Sequence, residues 1–411
     1  MFSTRTPGAR RVARWTTTAV AAAAITAAGV GASSSAAVAA PGEQATARAG
    51  SCAAGNYSNP RYLAKYGGKQ QRIDANGNGV ATEPRFSMDS RANRRLVYTS
   101  TSTNIDGQVK AGTRNVYVVQ RTGRIAKNGN AWQAGRTKLI SVGQGGPADG
   151  DSYGATISGY TGARDAAKGP RLVAFLSRAT NLPGGNPTGV SAYTANTTGG
   201  GLRRVNVPGE ATGVGISGDS KVLYVTTTQG IYLVRGNGKG KRLAGGAGMN
   251  SPTTTLNGKQ AAYGQGGKVF TITSSGRRKQ VAVGNNPQAD GGDPDGGRRQ
   301  GNVRAVAFDR GGSAYRVALE GRNKGVKRWG RTQTHAAING GGSTTVFGIG
   351  SFACALVQVL ENGKRGGYGI PQGQCPDGQG GVSDVGVSTR YNYLAFTCER
   401  GGLFLFHIGE K

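Results

Sequence analysis

Short apolar runs, separated by Gly-rich polar segments, repeat along most of the chain. RLVAFLSRATNL, at Arg171–Leu182, passes from apolar residues into a polar loop, and related runs occupy Arg95–Thr101 and Asn392–Cys398. Each run is too short for a helix and rich in Val, Leu, Phe and Tyr, so each predicts a β-strand. Most are followed by a second apolar run that ends in a turn, as in KVFTITSSG at Lys268–Gly276. Such a repeated unit is typical of an all-β chain folded as a β-propeller.

The repeat predicts seven blades and a way to close the ring. The seventh unit has only three predicted strands, so we expect the lone run KQQRID at Lys69–Asp74 to supply its outer strand. Closure of this kind leaves no free sheet edge. Unit five, Val303–Gln333, has a poor third strand, GVKRWGR, which makes six blades with one large blade the alternative. The seven units begin near Arg85, Ala155, Thr212, Pro252, Val303, His335 and Val382.

The units also share an order of features. An outer strand and a loop lead into a strand that ends in Ser. After it come a turn, a strand of the type RLVAF, a loop like ATNLPGG and a further strand followed by TG. In this order the chain resembles the WD-repeat-like propeller repeats of TolB-like proteins, which are common among secreted bacterial chains. The best matches are Arg85–Gly123 and Ala155–Val207. The resemblance implies a propeller fold and says little about function, because such propellers have many roles.

The N-terminal segment has the features of an export signal. A basic head precedes an Ala-rich apolar stretch, and Ala37-Val38-Ala39 fits the small-x-small rule, which predicts cleavage after Ala39. The Arg10-Arg11 pair is similar to a twin-arginine signal, and the general export route remains the alternative. We therefore expect a signal at residues 1–39, a tether at 40–68, one propeller domain at 69–411, and an exported or envelope-associated protein without a transmembrane segment.

Four cysteines are consistent with export. An even number in an exported chain favours two disulfides, and three pairings of Cys52, Cys354, Cys375 and Cys398 are open. Because Cys52 lies near the start and the others near the end, we expect one bridge to tie the two ends together. A zinc site is disfavoured, since the spacings do not match metal-ligand patterns.

Charge carries more information than any motif. The formal net charge of the whole chain is +31. Cleavage of the signal would remove four arginines and no acidic residue, so the mature chain would keep a net charge of +27. In a four-stranded blade, the first–second and third–fourth turns lie on one face and the remaining loops on the other. The first set is basic: Arg91, Arg94, Arg95, Arg121, Arg124, Lys127, Lys239, Lys241, Arg242, Arg277, Arg278, Lys279, Lys364 and Arg365. The second set holds Asp74, Glu83, Asp106, Asp149, Asp151, Glu210, Asp290, Asp293, Asp295 and Asp377.

This sorting predicts one strongly basic face and one mixed face with long loops, and solvated turns on a basic protein are the plain alternative. Eleven residues from the two faces are the candidate binding residues: Asp106, Asp149, Asp151, Asp290, Asp293, Asp295, Arg121, Arg124, Arg277, Arg278 and Lys279.

Two motifs suggest other chemistry. Gly150–Gly154, GDSYG, matches the nucleophile elbow of serine hydrolases, but that motif needs a helix after it and ATISGY predicts a strand. Asp74–Gly79, DANGNG, matches the first half of an EF-hand loop, yet the twelfth position is Arg85 instead of Glu. We therefore predict no cofactor, with calcium on this loop or on Ala289–Gly297 as the alternative.

These features favour a non-enzymatic, secreted binding or scaffold module. It would engage an anionic cell-wall polymer or an envelope protein through its basic face and through the loops Thr101–Arg114, Arg178–Gly189 and Asn285–Gly301. The alternative is an extracellular hydrolase or lyase with a site at the channel mouth. Scattered aromatics do not indicate nucleic-acid binding, and we expect a monomer.

Overall fold

The computed structural model describes the chain from residue 70 to residue 407 with gaps. The described residues are 70–88, 94–107, 109–122, 132, 135–159, 171–184, 189–291, 301–321, 324–331, 334–340, 344–351, 354–361, 364–370, 375, 381–388 and 393–407. The regular elements among them are thirty strands. Within these residues, no helix has the length and apolar character needed to cross a membrane. The predicted signal, tether and Cys52 lie outside them.

The strands form seven four-stranded antiparallel sheets, each a blade, and one small hairpin. The last blade combines β1 (Gln70–Arg72) with β28 (Val382–Val387), β29 (Tyr393–Cys398) and β30 (Leu403–His407). The other blades are β2–β5 (Ala81–Phe86, Arg95–Ser100, Asn115–Gln120, Arg136–Leu139), β8–β11 (Ser152–Ile157, Leu172–Ser177, Ser191–Asn196, Arg203–Arg204), β12–β15 (Ala211–Ile216, Val222–Thr227, Gly230–Arg235, Lys241–Gly245), β16–β19 (Met249–Thr254, Gln260–Gln265, Lys268–Thr273, Arg278–Val283), β20–β23 (Asn285–Ala289, Ala305–Arg310, Ser313–Ala318, Gly325–Arg331) and β24–β27 (Ala337–Ile338, Thr344–Ser351, Cys354–Glu361, Lys364–Ile370). The hairpin is β6 (Val142–Gly143) and β7 (Gly146–Pro147).

The first strands of successive blades contact one another in turn and return from β28 to β2, so the predicted propeller is confirmed. The predicted closure is confirmed too. Strand β1 pairs antiparallel with β30, with Gln71 opposite Leu405. Next to this ladder, the fully buried carboxylate of Asp74 makes an ion pair with Arg72 at 2.7 Å and accepts the backbone N–H of Leu403 at 3.3 Å.

The predicted boundaries of unit five were wrong. Its first strand is β20, so the unit begins at Asn285 instead of Val303, and GVKRWGR forms the fourth strand β23 instead of the third. The run NNPQA has no apolar pattern of its own because a bulge interrupts it between Asn285 and Gln288. The expected long loop Asn285–Gly301 is therefore partly a strand.

Aromatic pairs between the second and third strands fill the core. Tyr98 lies opposite Tyr117 with ring centroids 5.6 Å apart, and Phe175 lies opposite Tyr193 at 5.7 Å. Trp132, which the sequence places in polar surroundings, is fully buried against Phe86 of the first blade and Tyr393 of the last. These contacts join the two ends of the ring through aromatic burial.

One disulfide lies among the described residues and joins Cys375 to Cys398 in β29. It joins the segment before the last blade to the second strand of that blade, 23 residues further along the chain, so this bridge does not tie the two ends of the chain. Cys52 is outside the described residues, and only the backbone of Cys354 in β26 is described.

Candidate functional site

The inner strands that line the channel share an irregularity near their N-terminal ends. Six of them, all except the two-residue β24, contain a β-bulge against the second strand of the same blade. At this point Glu83 has a φ of 57°, Gly154 of 62°, Ser251 of 47° and Asn286 of 48°. A left-handed backbone is uncommon for residues other than Gly and tends to mark functional positions.

Seven corresponding residues, one from each blade, lie at the same end of the channel. The segments EPRFS, GATIS, GVGIS, SPTTT, NPQAD, HAAIN and DVGVS occupy the same place in the seven blades, and their last residue follows the inner strand. Their first residues form what we call the mouth ring: Glu83, Gly154, Gly213, Ser251, Asn286, His335 and Asp384. One half of this ring is ionisable or amide-bearing and the other half is small, so the mouth is asymmetric.

Carboxylates link three neighbouring blades within the mouth ring. The Glu83 carboxylate accepts the backbone N–H of Gly154 at 2.7 Å, and the backbone N–H of Glu83 donates to the Asp384 carboxylate at 3.0 Å. Burial raises the pKa of Glu83, and the Asp384 charge adds to this, while the Gly154 hydrogen bond opposes it. A carboxyl group with a raised pKa at a channel mouth is suited to proton exchange.

The next part of the mouth ring is a histidine–carboxylate pair. His335 Nδ1 lies 2.8 Å from Asp309 Oδ2, and Asn286 Nδ2 lies 3.2 Å from the same oxygen. The hydrogen bond to Asp309 raises the pKa of His335, and the side chain of His335 is 53% exposed. The Asp309 carboxylate therefore holds Nδ1 of His335 in place, while the imidazole ring stays accessible to solvent.

Below the mouth ring the channel has one polar level and then one apolar level. The residues two positions before the end of each aligned segment are polar or small, and the residues one position before the end are mostly apolar. Among the described side chains lining this cavity, Arg85 is the charged one. The remaining lining residues are Pro84, Phe86, Met88, Thr156, Ile157, Gly215, Ile216, Thr253, Thr254, Gln288, Ala289, Gly291, Ile338, Gly340, Gly386 and Val387.

A buried polar residue follows each inner strand, and in six of the blades its side chain accepts a backbone N–H at the start of the next strand. Ser217, for example, accepts the N–H of Val222 at 3.0 Å. In the fifth blade this position is Asp290, which is fully buried and accepts the N–H of Arg304 at 2.9 Å. Burial raises the pKa of Asp290 to about 7. Asp290 therefore belongs to a first–second turn, so its assignment to the loop-rich face was wrong.

The other predicted acids hold loops together. Asp106 accepts the N–H of Leu139 at 2.8 Å, and Asp151 accepts the N–H of Arg114 at 2.9 Å. Asp149 accepts the N–H of Thr180 at 2.7 Å, and this hydrogen bonding lowers its pKa. The structure does not bring these acids together; they lie in loops of the first two blades. Asp293 and Asp295 lie outside the described residues.

The predicted cations divide into two groups. Arg278 lies over the Phe270 ring, 3.7 Å from its centroid, and donates to Gln265, so it packs against its own blade. Arg277 and Lys279 are exposed and line a groove beside the fifth blade, with Thr271, Thr273, Gln260, Asn302 and Glu320 among its other residues. Arg121 is half-buried at the end of β4, and Arg124 lies outside the described residues.

Neither motif forms the site that its pattern suggests. Ser152 lies in strand β8 and is buried, with its hydroxyl 2.9 Å from that of Ser177, so GDSYG is not a nucleophile elbow. Asp74 is committed to Arg72. Within the described residues, no three His, Cys, Asp or Glu side chains are grouped so as to hold a metal ion.

Searches of protein-family models and of curated proteins found no match to this chain. The fold alone places this chain among the β-propellers. The resemblance to TolB-like repeats rests on the repeat residues alone. Sequence reasoning did not place Arg85, Asn286, His335 or Asp384 at the channel. Aligning the units on the polar residue after each inner strand would have placed three of these residues, Asn286, His335 and Asp384, in one column.

Proposed function

We propose that this protein is an exported binding module that attaches to an anionic cell-envelope polymer through its basic face. The single observation that supports this most is the charge of the first–second and third–fourth turns. Their described cations include Arg94, Arg171, Lys221, Lys239, Lys259, Arg277 and Lys279, whereas their described acids are Asp219, the buried Asp290 and Glu320.

The groove between the fourth and fifth blades is the most concentrated part of this face. Arg277 lies in the turn just before β19 and Lys279 lies within that strand, and both residues line the groove. Thr271 and Thr273 add hydroxyl donors from the neighbouring strand β18. Glu320 on the opposite wall reduces the positive potential, so we expect polymer charge to bind mainly along the fourth blade.

Electrostatic attachment of this kind depends on salt. Exposed charges are screened within about 8–10 Å at physiological ionic strength, so attraction to a polyanion weakens steeply as salt rises. The resemblance to TolB-like repeats is compatible with a binding role. The described parts of the loops Thr101–Arg114 and Arg178–Gly189 lie at the opposite ends of the blades, where a protein partner could be engaged without competing for the polymer.

The test is retention of the mature protein on purified anionic cell-wall material across about 0.05–0.5 M salt. We expect retention to fall with salt, and to fall further in the double variant Arg277→Gln/Lys279→Gln. Lys110→Gln/Lys268→Gln is the matched control, because it removes the same charge from exposed residues at the other face. Retention that ignores salt, or equal losses in both double variants, would contradict the proposal.

A second candidate is an extracellular hydrolase or lyase at the mouth ring, favoured by the His335–Asp309 pair beside the carboxylates of Glu83 and Asp384. An accessible imidazole oriented by a carboxylate is the usual arrangement of a general base. Incubation with cell-envelope polysaccharides and measurement of new reducing ends or unsaturated products tests it. Activity lost in His335→Gln, with polymer retention intact, would support catalysis; absence of turnover by the wild type would remove this candidate.

A further inference from the structure

The wall of the channel contains an arginine that has no direct partner among the described residues. Arg85, in β2, is half-buried, and no hydrogen bond or ion pair joins it to any other residue in the part of the chain that the structure describes. Its charge lowers the pKa of Glu83 and of His335 only through space. A charge removed from water without a close counter-charge is costly, so partly buried arginines are normally paired. A bound anion would supply the charge that the protein does not.

The other polar groups at this level are also able to donate hydrogen bonds. The hydroxyl of Thr156, at the corresponding position of β8, is buried and has no partner among the described residues. Gln288, at the corresponding position of β20, uses its oxygen to accept the N–H of Ile338 at 3.1 Å, which leaves its amide nitrogen as a donor. Arg85, Thr156 and Gln288 therefore offer hydrogen-bond donors to one cavity, and Arg85 also carries a positive charge, which favours a ligand that accepts hydrogen bonds.

The space next to this polar level is apolar. One residue further along the inner strands, the wall consists of Phe86, Ile157, Ile216, Ala289, Ile338 and Val387, with Thr254 completing the level. Beyond it, Met88, Gly291 and Gly340 line the end of the cavity in the first–second turns. The cavity therefore joins an apolar segment to a single cationic group, as ligand sites commonly do.

We propose that the channel binds a small monocarboxylate with an apolar tail, which enters from the basic face. Its carboxylate pairs with Arg85, because a planar guanidinium matches the two oxygens of a carboxylate. Its tail lies against the Ile and Val side chains toward the opening. The basic face attracts anions to that opening, whereas Glu83 and Asp384 at the mouth ring repel them from the other end. This site is separate from the polymer groove.

Calorimetric titration with straight-chain carboxylates of four to ten carbons, and with the primary amides of the same chains, tests the site. The wild type should bind octanoate at least about tenfold more tightly than octanamide, because only the acid offers Arg85 a charged hydrogen-bond acceptor. Arg85→Gln should cancel that preference, and Arg85→Lys should retain part of it. Arg235→Gln, which removes an exposed arginine of the basic face, should leave the preference for octanoate unchanged.

Three results would overturn the proposal: no carboxylate binds the wild type at millimolar concentration, the amide binds as tightly as the acid, or Arg85→Gln keeps the preference. The thermal midpoint of each variant shows whether it is folded, and Arg85→Lys provides the comparison if Arg85→Gln unfolds. Polymer retention distinguishes the two proposals, because Arg85→Gln should be retained on cell-wall material like the wild type whether or not it binds octanoate.

Discussion

The carboxylate of Glu83 accepts the backbone N–H of Gly154 at 2.7 Å, and so joins the inner strand of the first blade to that of the second. Glu83 makes this contact with a φ of 57°, a conformation that Gly154 adopts at the same position without cost. The bond therefore compensates for local strain in Glu83.

Replacing Glu83 with Ala should destabilise the propeller by about 1–3 kcal/mol, because the Gly154 N–H loses its acceptor. Glu83→Gln keeps an oxygen acceptor and should lose less. Denaturant unfolding measures the difference, and faster hydrogen exchange at Gly154 in the Ala variant locates it. Equal stability of the two variants would show that the bond is unimportant.

Asp290 should make stability fall as pH rises. Its pKa is raised to about 7 in the folded state against an ordinary value of 3.8, so the folded protein binds the proton more tightly than the unfolded chain. Stability is then greatest below about pH 4 as far as this group is concerned, and declines through about pH 7. Asp290→Asn should flatten that decline in thermal midpoints measured from about pH 4 to 8.

Asp219→Asn is the matched control for Asp290, because it changes an aspartate in the corresponding turn of the third blade. It should keep the wild-type decline. A decline of the same size in Asp290→Asn would mean that another group is responsible.

Asp309→Asn should lower the pKa of His335, because the hydrogen bond to the Asp309 carboxylate raises it. A histidine with a raised pKa contributes stability below about pH 6.5 that is lost as pH rises through the folded-state value. The chain has two histidines, so a proton NMR titration in a His407→Gln background follows His335 alone. Asp219→Asn, which changes an aspartate of another blade, is the control and should leave the His335 midpoint where it is. The same midpoint with and without the Asp309 carboxylate would contradict the prediction.

Asp74→Ala should weaken the closure of the ring by about 3–5 kcal/mol, because it leaves Arg72 without its partner and Leu403 N–H without an acceptor. Denaturant unfolding checks this, with the exposed Glu399→Ala as control. Adding Arg72→Met to Asp74→Ala should restore part of the loss, since no unpaired charge then remains. A double variant that is less stable than Asp74→Ala would contradict this account.

The strand pattern was enough to predict the architecture. The alternation of short apolar runs and Gly-rich turns predicts the strands correctly in most blades, and the three-stranded last unit predicts the closing role of Gln70–Arg72. The pattern failed at NNPQA, because a bulged inner strand has no regular alternation. That failure placed Asp290 on the wrong face.

The sequence by itself determined that this chain is an all-β propeller with a large positive charge, since strand periodicity, turn residues and charge are local properties of the chain. The tertiary structure alone decided that Trp132 is buried, that Glu83, His335 and Asp384 share one ring, and that Arg85 lines the channel without a direct partner among the described residues. Those relationships join residues from different blades, and only closure of the ring brings them together.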